Sequence, residues 1–136
     1  MKIEVEVIND SGQKSISRKS VQDSATRALL SEKVDTAIVS IIFVDDVKIL
    51  ELNKSFLNHD FVTDVITFPL EESGIIEGEI YISVDTARRQ AEEYGVSLTN
   101  ELQRLAVHGV LHLVGYDDDT DEKRDKMHVL EDKYIN

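Results

Sequence analysis

Two histidines, His108 and His112, stand four positions apart in the segment HGVLH. On a helix, residues at i and i+4 share a face with β-carbons roughly 5–6 Å apart, so two imidazoles can reach one cation. Gly115 follows three positions after His112 and can adopt the positive φ that turns the chain back. The carboxylate of Asp118 can then return to the histidines, and this spacing predicts a His-x3-His-x5-Asp metal site.

Three ligands with a fourth coordination position left open are typical of a catalytic zinc site. Zinc in such a site lowers the pKa of bound water from 15.7 toward roughly 7 and supplies a nucleophile at neutral pH. The chain contains no cysteine, so any metal must be bound by His, Asp or Glu. We expect one zinc ion at His108, His112 and Asp118, and the metal-bound water is the only catalytic group that the sequence assigns. The neighbouring acids from Asp119 to Glu122 are typical of a helix N-terminus and are expected to cap the next helix.

A peptidase is an alternative, because the same segment overlays the metzincin pattern H-E-x-x-H-x-x-G-x-x-H. The glutamate that acts as general base in those enzymes is replaced here by Gly109, which has no side chain. A zinc peptidase or amidase would need a base from elsewhere, so this class is the less favoured one.

The elements that must position these residues follow from hydrophobic periodicity. Strands are predicted over Ile3 to Val7, Thr36 to Val44 (covered on both sides), Val65 to Phe68 and Gly78 to Ser83, with a hairpin turn at Glu71 to Gly74. Helices are predicted through Val21 to Leu29, after Asp45 or Asp46 with Val47, Leu50, Leu52 and Phe56 as the apolar side, from Ser83 or Asp85 to Gly95, from Thr99 to Gly115, and from about Thr120 to Tyr134. Together they predict one α+β domain over residues 1–136, a small mixed sheet of about four strands packed against several helices.

Net charge is strongly negative: 15 Lys and Arg against 27 Asp and Glu give −12. Long-range attraction to a polyanion is therefore absent, although a bound cation or a local basic patch can still attract nucleic acid within a Debye length. No apolar run approaches the length of a membrane span, and the N-terminus alternates charged with apolar residues, unlike a signal peptide. We expect a cytoplasmic protein with no membrane partner.

Three motifs, in order and in register, resemble one family. HGVLHLVGYDD (His108 to Asp118) is similar to the signature H-G-x-L-H-L-x-G-Y-D-H of the YbeY family of bacterial endoribonucleases. LNKSFLNHDFVTDVITFP (Leu52 to Pro69) resembles its L-N-x-x-x-R-x-x-x-x-x-T-D-V-L-S-F-P segment, and GEIYIS (Gly78 to Ser83) resembles G-D-I-x-I-S.

The resemblance implies a metal-dependent endoribonuclease that acts on single-stranded RNA. It implies a role in maturing ribosomal RNA, particularly the 3′ end of the small-subunit RNA, and in ribosome quality control. It also implies zinc at His108, His112 and Asp118, RNA and the ribosome or ribosomal proteins as partners, and no DNA. A second class stays open: a ribosome-associated assembly or binding factor whose metal is structural or vestigial.

Two positions depart from the family pattern. The third ligand, commonly histidine, is Asp118, an oxygen ligand that still suits zinc. Leu57 stands where the pattern has an arginine expected to contact RNA phosphate, and leucine cannot make that contact. His59 in the same polar loop could replace it as a donor or could be a solvated loop histidine. Asp64 could cap a turn or helix terminus, or orient a ligand histidine. Arg88 could be a solvated helix charge or could bind phosphate.

Overall fold

A computed structural model describes residues 2–70 and 74–135, and in those ranges one mixed sheet packs against helices. In chain order the elements are β1 (Lys2–Asn9), α1 (Arg18–Ser31), β2 (Thr36–Val44), α2 (Asp46–Leu57), β3 (Val65–Pro69), β4 (Ile76–Ser83), α3 (Val84–Tyr94), α4 (Leu98–Val114) and α5 (Asp121–Tyr134). The strand order is β1-β2-β4-β3, with β1, β2 and β4 parallel and β3 antiparallel to β4. The predicted α+β fold with a small mixed sheet is confirmed.

Alternation along β2 sends side chains into two separate clusters. Ile41 and Phe43 are fully buried in the main core, on the face that α1 and α4 cover. Ile42 and Val44 face the other way and pack in a smaller cluster beneath α2. Because Ile38 is only half-buried on that second face, the expected cover on both sides of β2 is present near its C-terminal end and not along its whole length.

The predicted apolar face of α2 is wrong in part. The buried residues are Ile49, Leu52 and Asn53, whereas Val47 is 76% exposed and Phe56 is 69% exposed. Apolar residues occur on two sides of this helix, so its sequence is compatible with more than one buried face. The sheet selects the side that carries Ile49 and Leu52.

Helix α4 lies unusually close to the sheet at Gly109. A β-carbon added there would come within 2.8 Å of the Ile80 side chain on β4. A side chain fits at this position only if Ile80 moves, so a metzincin-type glutamate here would have to displace Ile80. This close packing lies directly beside His108, the residue before Gly109 in the chain.

Local signals at the helix ends agree with the structure in most places. The side chains of Asp45 and Ser83 cap α2 and α3, each accepting a bond from a backbone N–H in the first turn. At α5 the cap is Thr120 and not one of the neighbouring aspartates, because its hydroxyl accepts from the N–H of Lys123. The predicted turn at Glu71 to Gly74 lies outside the described residues except for Gly74. Among the described residues, no helix has the length and apolar character needed to cross a membrane.

Candidate metal centre

Helix α4 brings the two histidines onto one face, as the spacing predicts. The ring centroids of His108 and His112 are 4.6 Å apart and the rings are inclined by 81°. Their Nε2 atoms point at each other across 3.0 Å. The side chains are 21% and 28% exposed, so this pair lies at the surface of the core and opens to solvent.

Gly115 turns the chain so that Asp118 returns to the same point. Its φ of +119° lies in the region that residues with a side chain seldom adopt, and its N–H bonds to carbonyls of the last turn of α4. The Oδ2 atom of Asp118 lies 3.5 Å from the Nε2 atom of each histidine. In a tetrahedral zinc site with bonds of about 2.0–2.1 Å, neighbouring ligand atoms are about 3.3 Å apart. The triangle formed by the three ligand atoms therefore has the size that zinc requires.

Hydrogen bonds on the far side of each ring determine which nitrogen carries the proton. His112 Nδ1 lies 3.0 Å from the carbonyl oxygen of Tyr116, which can only accept, so Nδ1 donates. His108 Nδ1 lies 2.8 Å from Oε2 of Glu131, a carboxylate that also pairs with Arg104. With Nδ1 as the donor, each ring in its neutral tautomer would present an unprotonated Nε2 to the same point, where one cation could accept both lone pairs.

Glu131 is the buried anchor behind His108. It is 1% exposed and its Oε1 lies 3.2 Å from Nδ1 of His128 and 3.5 Å from Nη1 of Arg104. Burial lowers the pKa of His108, but the hydrogen bond to Glu131 and the charges of Glu131, Asp118 and Asp64 outweigh it, and the pKa is raised. Surroundings that favour a proton on His108 equally favour a metal cation beside it.

Tyr116, whose carbonyl bonds to His112, is anchored by Glu32 at the C-terminal end of α1. The Tyr116 hydroxyl donates to Oε1 of Glu32 at 2.7 Å, and the Tyr134 hydroxyl of α5 donates to the other oxygen of the same carboxylate. Burial, together with the hydrogen bond to Glu32 and its charge, raises the pKa of Tyr134, which keeps this phenol protonated as a donor. The segment after Gly115 is thereby tied to two helices.

The three candidate ligands open into a cleft of about 470 Å³. Its described lining consists of Leu57, Thr63, Asp64, Val65, Ile66, Thr67, Pro69, His108, His112, Leu113 and Asp118. No lysine or arginine is among these described residues, so phosphate attraction within the cleft must come mainly from a bound cation.

A second, smaller cavity of about 140 Å³ lies behind His108. Glu101 in its wall is 2% exposed, and its Oε1 has no hydrogen-bond partner among the described residues. Burial raises its pKa to about 7, with Arg104 opposing this shift and Asp64 and Glu131 adding to it.

The other candidate residues lie at different distances from the ligands. Asp64 lines the cleft and accepts a bond from Nε2 of Gln90 at 3.2 Å, with no hydrogen bond to either ligand histidine. His59 lies outside the cleft lining and stacks on Phe61. Arg88 is exposed on α3 and donates to Oε1 of Gln13, which places it in a contact with the loop after β1 and not in the cleft.

Glu131 and Tyr116 are the residues that sequence reasoning missed. One signal for Glu131 was present, since it shares a helical face with Met127 and Tyr134, both buried. A glutamate on the apolar face of an amphipathic helix needs a buried polar partner. The two histidines of α4 were the polar side chains to which the sequence had assigned no hydrogen-bond partner. Nothing comparable marks Tyr116, whose contribution is a backbone carbonyl.

Comparison with known proteins gives one consistent result. A family model described as endoribonuclease YbeY matches residues 5–136. The endoribonuclease YbeY of Chloroherpeton thalassium is 35% identical over 129 residues, covering 95% of this chain and 92% of the relative. That of Chlorobaculum tepidum is 44% identical over 97 residues, 71% of each chain. A solution structure of a protein from Thermotoga maritima superposes with a TM-score of 0.68 at 30% identity, covering 96% of this chain and 86% of that one.

Proposed function

The chain belongs to the YbeY family of endoribonucleases, and from that premise we propose that His108, His112 and Asp118 hold the zinc ion at which it cuts RNA. The protein is a hydrolase that acts on RNA and takes part in ribosomal RNA processing. We propose that it matures the 3′ end of the small-subunit ribosomal RNA and takes part in ribosome quality control. Residues 1–136 are taken as one domain of this family, because the family model matches residues 5–136.

The convergence of three ligand atoms carries this proposal. Ligand atoms of His108, His112 and Asp118 all lie within 4.8 Å of one another. Two imidazole nitrogens and one carboxylate oxygen, with a side open to the cleft, match the donor set of catalytic zinc better than the all-oxygen sets preferred by Mg²⁺ and Ca²⁺. Zinc is therefore the metal we propose.

The chain's own residues bind and orient. Glu131 and the Tyr116 carbonyl hold the imidazole rings in the tautomer that leaves Nε2 free. Asp118 supplies a negative charge at 43% exposure, on the side of the site that solvent and substrate reach. When bound, zinc would supply Lewis acidity toward the scissile phosphate and a lowered pKa for attacking water.

Partners and location are proposed on the same basis. A net charge of −12 suits contact with basic ribosomal proteins better than with bare RNA. We propose that the protein meets its RNA on ribosomal particles in the cytoplasm, and that it contacts no DNA.

Elemental analysis combined with an RNA-cleavage assay tests the proposal. Protein stripped of metal by a chelator should be inactive on a single-stranded RNA and should recover with about one equivalent of zinc. Asp118→Asn should bind less zinc and cleave more slowly, whereas Asp119→Asn, the matched control, should behave as the wild type because Asp119 only pairs with Lys123 on the surface. Cleavage that is indifferent to metal would contradict the proposal. Binding to ribosomal particles with no cleavage at any zinc loading would instead favour an assembly factor.

A further inference from the structure

An exposed pair of stacked rings stands on the loop beside the metal cleft. The rings of His59 and Phe61 have centroids 5.2 Å apart and are inclined by only 16°. Phe61 is 55% exposed, and His59 is exposed as well. Burial therefore does not explain why an aromatic residue occupies this place.

The loop that carries the pair is firmly held. Asn53, which is 1% exposed, donates from Nδ2 to the carbonyl oxygen of Phe61 at 2.9 Å. The carbonyl of Asn53 accepts from the N–H of His59 at 3.0 Å, and Asn58 adopts a left-handed conformation with φ of +61° to make the turn. The side chain and the carbonyl of this buried asparagine therefore hold the backbone of Phe61 and His59 in place.

Both ends of this loop reach the metal cleft. Leu57 on one side and Thr63 on the other line the cleft together with His108, His112 and Asp118. A strand of RNA with a phosphate at the ligands would therefore pass adjacent nucleotides across the loop.

Few positive charges are available near this loop to bind RNA. No lysine or arginine is among the described residues that line the cleft. Lys54, the nearest lysine or arginine in sequence, pairs with Asp60 of the loop at 3.8 Å. Phosphate contacts can therefore hold RNA only weakly on this protein of net charge −12. Stacking of bases on aromatic side chains does not depend on charge and is tolerant of sequence.

We propose that the His59–Phe61 pair is a base-stacking subsite for an unpaired nucleotide next to the scissile phosphate. This proposal rests on the proposed function in one respect: the metal ligands mark where the scissile phosphate lies. Bases within a duplex already have both faces stacked and cannot use the platform, so the subsite discriminates in favour of single strands. A ribosomal protein docked on the same rings is the rival that the test must separate.

Steady-state cleavage of a short single-stranded RNA by the zinc-loaded protein provides the test. Phe61→Ala should raise KM about 5- to 150-fold with little change in kcat, because one base–aromatic contact is lost and the ligands are untouched. Phe61→Trp should restore a KM near the wild-type value. Val47→Ala is the matched control, an exposed apolar side chain on α2 that is 76% exposed and outside the cleft lining. Zinc content should be equal in all four proteins.

Substrates that carry one abasic nucleotide distinguish stacking from a general structural effect. At one position near the cut, removal of the base should raise KM for the wild type and leave the KM of Phe61→Ala unchanged. Equal losses in both proteins at every position would overturn the proposal, as would an unaltered KM in Phe61→Ala. If Phe61→Ala cleaves free RNA normally but no longer sediments with ribosomal subunits, the rings bind a protein and the base-stacking subsite is wrong. In each of these cases zinc-dependent cleavage by the wild type would leave the proposed function standing.

Discussion

Replacing Glu131 with glutamine should weaken zinc binding although Glu131 does not touch the metal. In the wild type, Nδ1 of His108 lies 2.8 Å from Oε2 of Glu131. Glutamine has nearly the same size, and its carbonyl oxygen can still accept a hydrogen bond from that nitrogen. What is lost is one negative charge behind the ligand. With an imidazole between them, that charge and the metal would be roughly 7 Å apart, given a Zn–N bond of about 2.0–2.1 Å.

The size of the effect follows from Coulomb's law. A unit charge and a divalent cation at roughly 7 Å attract by about 1 kcal/mol in water and by about 5 kcal/mol at an effective dielectric constant of 20. Glu131 is 1% exposed but His108 is 21% exposed, so the effective value lies between these limits. We expect a loss of about 10- to 100-fold in zinc affinity, the range usual for partners of ligand histidines.

Competition with a zinc-binding indicator dye measures this affinity directly. Asp125→Asn is the matched control, since it removes the same charge from the same helix at an exposed position. It should change the dissociation constant less than threefold, as expected for a screened surface charge. Equal dissociation constants for wild type, Glu131→Gln and Asp125→Asn would refute the reasoning that Glu131 acts on the metal through His108.

Three further predictions concern the ligands, the cleft and pH. Asp118→Ala should weaken zinc binding in the same dye assay far more than Asp117→Ala or Asp119→Ala, while Asp118→His should retain it; equal losses would mean that the acidic run binds metal diffusely. Leu57→Arg, in the cleft wall, should tighten binding of single-stranded RNA and steepen the slope of log K against log salt by about 0.7, and an unchanged slope would show that this position does not face phosphate. The pKa of Glu101 is raised to about 7 from 4.5, so its contribution to stability is present below pH 4.5 and is lost as pH rises toward 7. Urea unfolding should show a decline of up to about 3 kcal/mol across that window, and Glu101→Gln should flatten it; an identical decline in the variant would exclude Glu101 as the cause.

Local pattern was enough to predict α4 and the convergence of His108, His112 and Asp118. The i, i+4 histidines, the glycine after the last turn and the following carboxylate all act within eleven residues, and helix geometry relates them without any tertiary contact. The same holds for β2, whose observed range, Thr36–Val44, equals the predicted run. Signals of this kind are complete within one element.

The sequence was less informative wherever a distant partner decides the outcome. The buried side of α2 depends on which face the sheet takes, and the helix alone carries apolar residues on two sides. Glu131 reaches His108 from 23 residues away, so its role could not be read from the spacing around the ligands. The His59–Phe61 stack depends on Asn53, a buried polar residue that looks, in sequence, like any exposed helical asparagine.

The contribution of α5 to the candidate metal centre makes metal binding depend on a helix that supplies none of the three candidate ligands. Glu131 orients the ring of His108, and Tyr134 shares the Glu32 carboxylate with Tyr116 in the turn after α4. A substitution that loosens α5 from α4 would therefore lower the affinity for zinc while His108, His112 and Asp118 all remain in the chain. Metal binding thus reports on how well the last described helix is packed.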